Sequence, residues 1–516
     1  MKLQPIINLQ TNIRAGNFAT YSSTPEQKVV NFGSSHPMPV ADYGKSWLYW
    51  CQMDKLKNET KQFPEDIAYR EALLKNAGLP SGNQHYLRAI VGPQEINKIL
   101  KDFDSSEEFF SVGKNDENIL NHKMRANLHM HTIASDGSLT PQQLLDKAAE
   151  YADKVAEKNP KSKLAPFVVG ITDHDTTESA KEAIKIIYKD PQKYRNLRVI
   201  LGVEMTTFNK FHFPKVKEPV NIHTLVYGID PNEKSFNGFI EGIKEEKSAV
   251  AEKMVFSAEK AYRHMTGVKR FFDLNEGKRL YNPLSKSILG IYNNVENYAK
   301  NKMALQHIVL QDEEFVNALK SKGMPTKIDG LMYKMNEFYK PLTGNNKVLP
   351  PEQTLPMFLS ISTGLEQDKI ELKLSEGLNS PKYKSLEKGI MDCIQPYKIT
   401  MNSKHEYVPT ITKVYEGLKG QPKAIMGLAH PIDYLKSAQS LGEKFDFINT
   451  IYARFIREGK EKAKFCEVYY QSYRPSREEF KNNPMTKSLM SALSELYGLV
   501  KTGSADSHGM SVFKRL

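Results

Sequence analysis

The sequence predicts an α/β protein in which one long helical block interrupts an alternation of strands and helices. Three observations indicate this class. Short apolar runs alternate with segments of helical spacing over residues 124–230, the alternation stops over residues 236–400, and it returns over residues 423–504. Such an alternation is typical of a parallel sheet covered by helices.

Residues 1–120 precede the alternation, and we treat them as an N-terminal extension of unknown function. The region is rich in Asn, Gln, Ser and Pro, and helical spacing is confined to residues 64–76 and 93–103. Both tryptophans, Trp47 and Trp50, lie here and favour partial order around them.

The first part of the α/β domain is assigned to residues 121–235. Helices are predicted where apolar residues recur at helical spacing, over residues 141–155 and 177–188. The four predicted strands are apolar runs at residues 124–128, 167–171, 199–203 and 222–226.

The helical insertion is assigned to residues 236–400 and the second part of the α/β domain to residues 401–516. Helices over residues 239–265 and 302–322 are Lys/Glu-rich, and the block follows the fourth strand, so it could cap a site on the sheet. The returning strands are predicted at residues 423–429, 465–469 and 499–504.

Composition limits the chemistry. A length of 516 residues predicts two or three structural units. Cys51, Cys393 and Cys466 form no Cys-x-x-Cys pair, which argues against a disulfide framework and a thiolate zinc site. Any metal must therefore be bound by His, Asp and Glu.

Charge and hydropathy favour a protein without a membrane span. The apolar runs are far shorter than the ~20 residues of a membrane helix, and the N-terminus resembles no secretory signal, so we expect a cytoplasmic location. A net charge of +12 fits either an anionic partner such as a phosphate ester or nucleic acid, or simply solvated Lys-rich helix faces. No obligate protein partner is indicated.

A His-x-His pair opens a series of candidate metal ligands. His129 and His131 are two residues apart on the first strand, so both side chains point to one face. Asp136 follows in a Ser-Asp-Gly turn, where Gly137 allows the backbone to bend back over that face.

Similar residues recur where the other strands end. A single His beside an apolar strand is more often structural than a ligand, but six of the thirteen histidines lie at such positions. Functional loops gather at the carboxyl ends of parallel strands, so these residues are expected to converge. The further candidates are His174, Glu204, His223, His430, Asp506 and His508.

These motifs together resemble the PHP (polymerase and histidinol phosphatase) domain, most closely its stand-alone metal-dependent phosphoesterases. The resemblance covers residues 124–230 and 424–508 and rests on the segments HMH, SDG, TDHDT, GVE, HTLVYGID, AHP and DSHG. It implies a distorted (β/α)7 barrel with a trinuclear metal cluster at the strand ends.

The resemblance also assigns the ligands. The first ion would take His129, His131, Glu204 and Asp506; the second Glu204, His223 and His430; the third Asp136, His174 and His508. Asp136, His174, Glu204 and Asp506 are the candidate catalytic residues. A set of imidazoles and carboxylates fits two or three ions of zinc, manganese or iron.

The predicted function is hydrolysis of a small phosphorylated metabolite, nucleotide or short oligonucleotide by attack of metal-bound hydroxide on phosphorus. Alternatives are a histidinol-phosphate phosphatase and a non-catalytic nucleic-acid-binding or regulatory PHP module. Arg474 and Arg477 are candidates for substrate binding. Glu467 is either a structural acid or a partner of a ligand, and Asp175 either orients an imidazole or caps the next helix.

Overall fold

A seven-stranded sheet, with its strands in chain order, forms the centre of the fold. The computed structural model describes residues 63–103, 126–135, 137, 139–158, 167–209, 220–280, 288–343, 355–399, 408–432, 434, 441–470, 484–504 and 506–508. The strands are β1 (Ala126–Met130), β2 (Phe167–Ile171), β3 (Leu197–Asn209), β4 (Val220–Tyr227), β5 (Ile425–Leu428), β6 (Ala463–Tyr470) and β7 (Val500–Ser504).

The sheet closes into a barrel because the chain beyond β7 pairs with the end of β1. The His131 N–H donates to Ser507 O at 2.9 Å, and the Ser507 N–H donates to His129 O at 3.1 Å. The predicted α/β class is therefore confirmed as a seven-stranded barrel with helices between strands.

The helices, in chain order, are α1 (Pro64–Asn76), α2 (Pro93–Phe103), α3 (Pro141–Lys158), α4 (Glu178–Lys189), α5 (Lys234–Thr266), α6 (Leu274–Leu280), α7 (Ile288–His307), α8 (Glu313–Ser321), α9 (Ile328–Thr343), α10 (Leu355–Thr363), α11 (Gln367–Leu378), α12 (Pro381–Ile399), α13 (Ile411–Gly417), α14 (Leu441–Gly459) and α15 (Pro484–Leu496). α3 and α4 follow β1 and β2, as predicted from their apolar spacing. Their apolar faces, including Leu144, Ala148 and Ile184, are buried against the sheet.

The fourth strand departs from the parallel arrangement. β4 runs antiparallel to both β3 and β5, with Thr206 opposite His223. Only residues 210–219 separate β3 from β4, whereas a parallel connection needs a dozen or more residues. The start of β4 therefore lies at the same end of the barrel as the end of β3.

Side chains alternate between the interior of the barrel and the surrounding helices. Val168 and Phe465 belong to the interior cluster, whereas the neighbouring Val169 and Cys466 belong to the cluster that packs under the helices. The interior leaves no room for a side chain at Gly170, because a Cβ there would lie 2.0 Å from the Leu128 carbonyl oxygen.

The described part of the predicted N-terminal extension closes the floor of the barrel, by which we mean the end opposite the candidate ligands. Ile96 and Leu100 of α2 belong to the interior cluster. The Val91 N–H donates to Val199 O at 3.0 Å, and the Val199 N–H donates to Ala89 O at 2.6 Å. Both predicted helices are present as α1 and α2, but composition did not indicate this packing. Trp47 and Trp50 lie outside the described residues.

The insertion starts at the floor and rises along the barrel wall. Because β4 is antiparallel, its last residue lies at the floor, and α5 begins seven positions after Tyr227. α5 has 33 residues and so spans about 50 Å. Phe236 and Ile240 pack against the barrel, and Lys247 reaches the loop that follows β2.

Beyond this point α5 carries a hydrophobic core of its own. Met254, Tyr262, Leu359 and Ile390 belong to this second cluster, which is separate from the barrel core. The helix continues for roughly 28 Å from Lys247 to its end, so this cluster lies beyond the strand ends that carry the candidate ligands.

One predicted helix in the insertion is wrong. Residues 302–322 do not form one helix, because α7 ends at His307 and α8 begins after Asp312. The Asp312 side chain accepts from the Phe315 N–H at 3.1 Å and caps α8. In the part of the chain that the structure describes, no helix is both long and apolar enough to cross a membrane.

Candidate metal centre

The strands and the loops that follow them bring eight of the nine predicted ligands together, although Glu204 and His223 lie within β3 and β4 rather than at strand ends. Asp136, the ninth, lies outside the described residues. Potential ligand atoms lie within 4.8 Å of one another in three groups. The groups are His129, His131, Glu204 and Asp506; His174, Glu204 and His223; and His131, His174 and His508.

The first group coincides with the set expected for the first ion. The second contains His174 where His430 was expected, and the third contains His131 in addition to His174 and His508. His430 is nevertheless close, with Nε2 3.1 Å from Glu204 Oε1.

A bulge in β1 turns inward both His129 and His131, the residue that follows the strand. Pairing between β1 and β2 shifts register between Asn127 and Met130. Leu128 belongs to the interior cluster, whereas Met130 packs outside, although strict alternation would place both on one face. The bulge therefore lets His129 and His131 face the site.

One carboxylate, Glu204, lies at the centre of the site and is buried. Five imidazoles surround it. Oε2 lies 2.9 Å from His129 Nε2, 3.2 Å from His131 Nε2 and 3.2 Å from His174 Nδ1, while Oε1 lies 2.8 Å from His223 Nδ1 and 3.1 Å from His430 Nε2.

The donor set fits divalent cations. A carboxylate has about four lone-pair directions, yet five imidazole nitrogens converge on Glu204. His129 and His131 both turn Nδ1 away from it, so in the neutral imidazoles the Nε2 lone pairs point inward. These two Nε2 atoms are only 3.0 Å apart. Cations are the species that such lone pairs and carboxylate oxygens share.

The charges of the site reinforce this conclusion. Burial opposes ionisation of Glu204, but the imidazoles of His129, His174 and His223 outweigh it and hold its pKa well below the usual range. Burial lowers the pKa of His129, but Glu204, Glu467 and Asp506 together raise it well above its ordinary value. The position thus strongly favours positive charge.

Glu467 orients His129 through Nδ1, the ring nitrogen that faces away from Glu204. Its Oε2 lies 3.2 Å from His129 Nδ1 and accepts from the His430 N–H at 2.9 Å, and its Oε1 accepts from the Ser504 hydroxyl at 2.6 Å. Such a carboxylate fixes the tautomer and the ring orientation of a metal-binding histidine. Glu467 is therefore a partner of one ligand as well as a structural acid.

Asp173 holds the loop that follows β1. It accepts from the Thr132 N–H at 2.7 Å and from the Ser135 hydroxyl at 2.6 Å, and Ser135 Oγ lies 3.3 Å from His131 Nδ1. A Cβ on Gly137 would lie 2.3 Å from the His131 carbonyl oxygen, so this turn does bend back against the His131 backbone.

Asp175 does not have the capping role that was one of two expected for it. It makes no cap on α4, whose N-cap is Thr177 without a side-chain hydrogen bond. Instead it accepts from the Thr206 N–H at 3.0 Å and pairs with Lys247 at 2.5 Å.

Backbone strain concentrates at this end of the barrel. Four non-glycine residues in the described ranges have positive φ, and three of them are Asp175, His430 and Asp506. Such conformations persist where the surroundings fix them, and they cluster at functional sites.

Two of the candidate ligands are partly exposed to solvent. The side chains of His508 and His223 are 39% and 24% exposed, whereas those of His129 and His131 are fully buried. Arg474 and Arg477 lie outside the described residues, so their part in substrate binding stays a prediction.

Two residues of the site carry no signal in the sequence. The Tyr434 hydroxyl accepts from the His223 N–H at 2.8 Å and donates to Ala429 O at 2.9 Å, which ties β4 to the end of β5. Lys247 is one of many lysines in a Lys/Glu-rich helix, and only the fold distinguishes it.

Comparisons with known proteins point to phosphate-ester hydrolases. No family model matches the chain. A 3′,5′-nucleoside bisphosphate phosphatase of Chromobacterium violaceum is 29% identical over 134 residues, which cover 26% of this chain and 38% of that protein. The 5′-3′ exoribonuclease Rnm of Salmonella typhimurium is 29% identical over 142 residues, covering 28% and 40%. The chain thus matches well under half the length of either curated relative.

Two solved structures are more distantly similar. An amidohydrolase from Chromobacterium violaceum and a protein described as a metal-dependent phosphoesterase from Bifidobacterium adolescentis are each 16% identical to the chain. Each comparison covers 75% of this chain and 88% of the other, with TM-scores of 0.35 and 0.33.

Proposed function

We propose that the chain is a metal-dependent phosphoesterase of the PHP type that hydrolyses a nucleotide or a short oligonucleotide. The observation that carries this proposal is the buried carboxylate of Glu204 with five imidazole nitrogens within 3.2 Å. Both curated relatives act on nucleotide or RNA phosphates by their names, and this supports the substrate class.

Divalent ions bound at this site would activate a water for attack on phosphorus and neutralise the phosphate oxygens. Glu204 would help to hold two of them, because it belongs to two of the three ligand groups. His129, His131 and Asp506 would complete one position, and His174 and His223 would complete a second.

The protein's own residues would order the reaction. Glu467 holds His129 in one tautomer, and the Asp173–Ser135 pair holds the loop beside His131. His223 and His508, whose side chains are partly exposed, would contact the phosphate. The candidate catalytic residues Asp136, His174, Glu204 and Asp506 remain part of this proposal.

A panel assay tests it. Protein purified without chelator is offered a nucleoside 3′,5′-bisphosphate, 5′-phosphorylated short oligonucleotides and histidinol phosphate, with added Mn²⁺ or Zn²⁺. We expect phosphate or nucleotide release from the first two, and loss of that release in His129→Ala. The matched control is His85→Ala, because His85 is an exposed histidine that belongs to none of the ligand groups. Folded protein that hydrolyses nothing contradicts the proposal.

The alternatives give different results. Turnover confined to histidinol phosphate would support a histidinol-phosphate phosphatase. Binding of long RNA or DNA without turnover, weakening steeply with salt, would support a nucleic-acid-binding module.

A further inference from the structure

A buried ion pair connects the helical insertion to the candidate metal centre. Lys247 of α5 lies with its Nζ 2.5 Å from Asp175 Oδ2, and each side chain is only 1% exposed. Lysine is almost never this buried unless it is paired. The pair joins the insertion to the loop that carries His174.

Asp175 is hydrogen-bonded to the backbone of Glu204 and to that of Thr206. Its N–H donates to Glu204 O at 2.9 Å, and its Oδ1 accepts from the Thr206 N–H at 3.0 Å. Its φ of 48° is left-handed, so contacts around it must hold this conformation. Any movement of Asp175 therefore moves its neighbour His174 relative to Glu204.

Docking of α5 does not account for the pair. Phe236 and Ile240 already anchor the first turns of α5 in the barrel core. Replacing a buried ion pair by apolar side chains is often neutral or stabilising, so stability alone is a weak reason to keep one. Its place beside His174, which belongs to two of the three ligand groups, suggests another reason.

We propose that Lys247 is a positioning residue for the metal centre: through Asp175 it fixes His174, so that the insertion helps to build two of the three ligand groups. This inference rests on the proposed metal-dependent function. The insertion would then supply a residue that positions the candidate ligands.

The test compares Lys247→Met with Lys244→Met in the full-length protein. Lys244 is a matched control because it is also nearly buried and lies one turn earlier on α5, but it pairs with Glu241 and Glu178. Metal-depleted protein is titrated with Mn²⁺ or Co²⁺ in a calorimeter, and bound metal is counted after gel filtration.

For Lys247→Met we expect the ions that use His174 to bind about 10- to 100-fold more weakly, the usual effect of removing a group that orients a ligand. The ion at His129, His131, Glu204 and Asp506 should keep its affinity. Lys244→Met should bind every ion as the wild type does, and Lys247→Arg, which keeps the cation, should bind more tightly than Lys247→Met.

Unchanged affinity in Lys247→Met, even with a lower melting temperature, overturns the inference and leaves the proposed function intact. If Lys247→Met does not fold, Asp175→Asn replaces it, because Asn keeps an acceptor for the Thr206 N–H and removes the charge. The same selective loss is expected there, and its absence refutes the role. Wild-type protein that binds no ion contradicts both proposals.

Discussion

Glu467 offers a prediction in which stability and metal affinity separate. In Glu467→Leu, the His430 N–H and the His129 Nδ1–H lose a buried acceptor. Each buried donor left without a partner costs about 1–3 kcal/mol, so the free energy of unfolding should fall by about 2–6 kcal/mol. The Ser504 hydroxyl can rotate to a new partner and adds little.

Glu467→Gln should behave differently. The amide oxygen can take the place of Oε2 and keep both acceptor contacts, while the amide NH₂ donates to the Ser504 hydroxyl oxygen. The fold should therefore lose less stability than in Glu467→Leu, because only the charge beside His129 is removed. The charge behind His129 is lost, however, and metal affinity should fall about 10- to 100-fold.

Urea unfolding in the presence of chelator measures the free energy of unfolding, and calorimetric titration with Mn²⁺ measures the metal affinity. Equal destabilisation of the two variants, or wild-type metal affinity in Glu467→Gln, would refute the reasoning that Glu467 acts on His129.

Three further predictions concern the barrel around the site. In a thermal melt, Gly170→Ala should destabilise the protein by about 4 kcal/mol or more, because its Cβ would meet Leu128 O at 2.0 Å. The control is Gly242→Ala on α5, where no atom lies within 4 Å of the new Cβ; it should be neutral or stabilising by up to about 1 kcal/mol. Tyr434→Phe leaves the His223 N–H without its acceptor and should cost about 1–3 kcal/mol in urea unfolding; an unchanged midpoint would contradict this. Burial raises the pKa of the Cys466 thiol to about 12 from 9.0, so iodoacetamide at pH 8 should label it only in urea. The thiol's stabilising effect is complete below pH 9 and is lost as pH rises toward 12. Labelling of Cys466 itself in native protein at pH 8, located by peptide mapping because Cys393 is partly exposed, would show that the thiol is not buried.

The sequence predicted those features that depend on local pattern. Apolar runs located β2 at residues 167–171 and the ends of the other strands to within two residues, except that β3 continues six residues beyond the predicted end at residue 203. Such runs are typical of strands buried on both faces. The candidate ligands could be predicted as well, because each one stands next to such an apolar run. Their spatial grouping agrees with the expected first set of His129, His131, Glu204 and Asp506.

Features that depend on contacts distant in the sequence were not predictable. The direction of β4 depends on pairing with β3 and β5, and apolar content is the same in either direction. The bulge that turns His129 inward leaves no mark in the ANLHM segment. The floor formed by α2 depends on surface that only the closed barrel offers.

The same limit applies to the surroundings of the ligands. Glu467 could be named from its strand but not assigned a partner, because His129 lies 338 residues away in the chain. Lys247 could not be distinguished from the lysines around it, since burial rather than residue type makes it unusual.

Metal content of wild-type protein and Glu204→Gln, both purified without chelator, tests the central claim most directly. Gln keeps the shape of Glu204 but removes the negative charge shared by five histidines. We predict two or three equivalents of a divalent metal in the wild type and a loss of at least one equivalent in Glu204→Gln, with the far-UV circular dichroism spectrum unchanged. Equal metal content in the two proteins, or none in the wild type, would contradict the proposed centre.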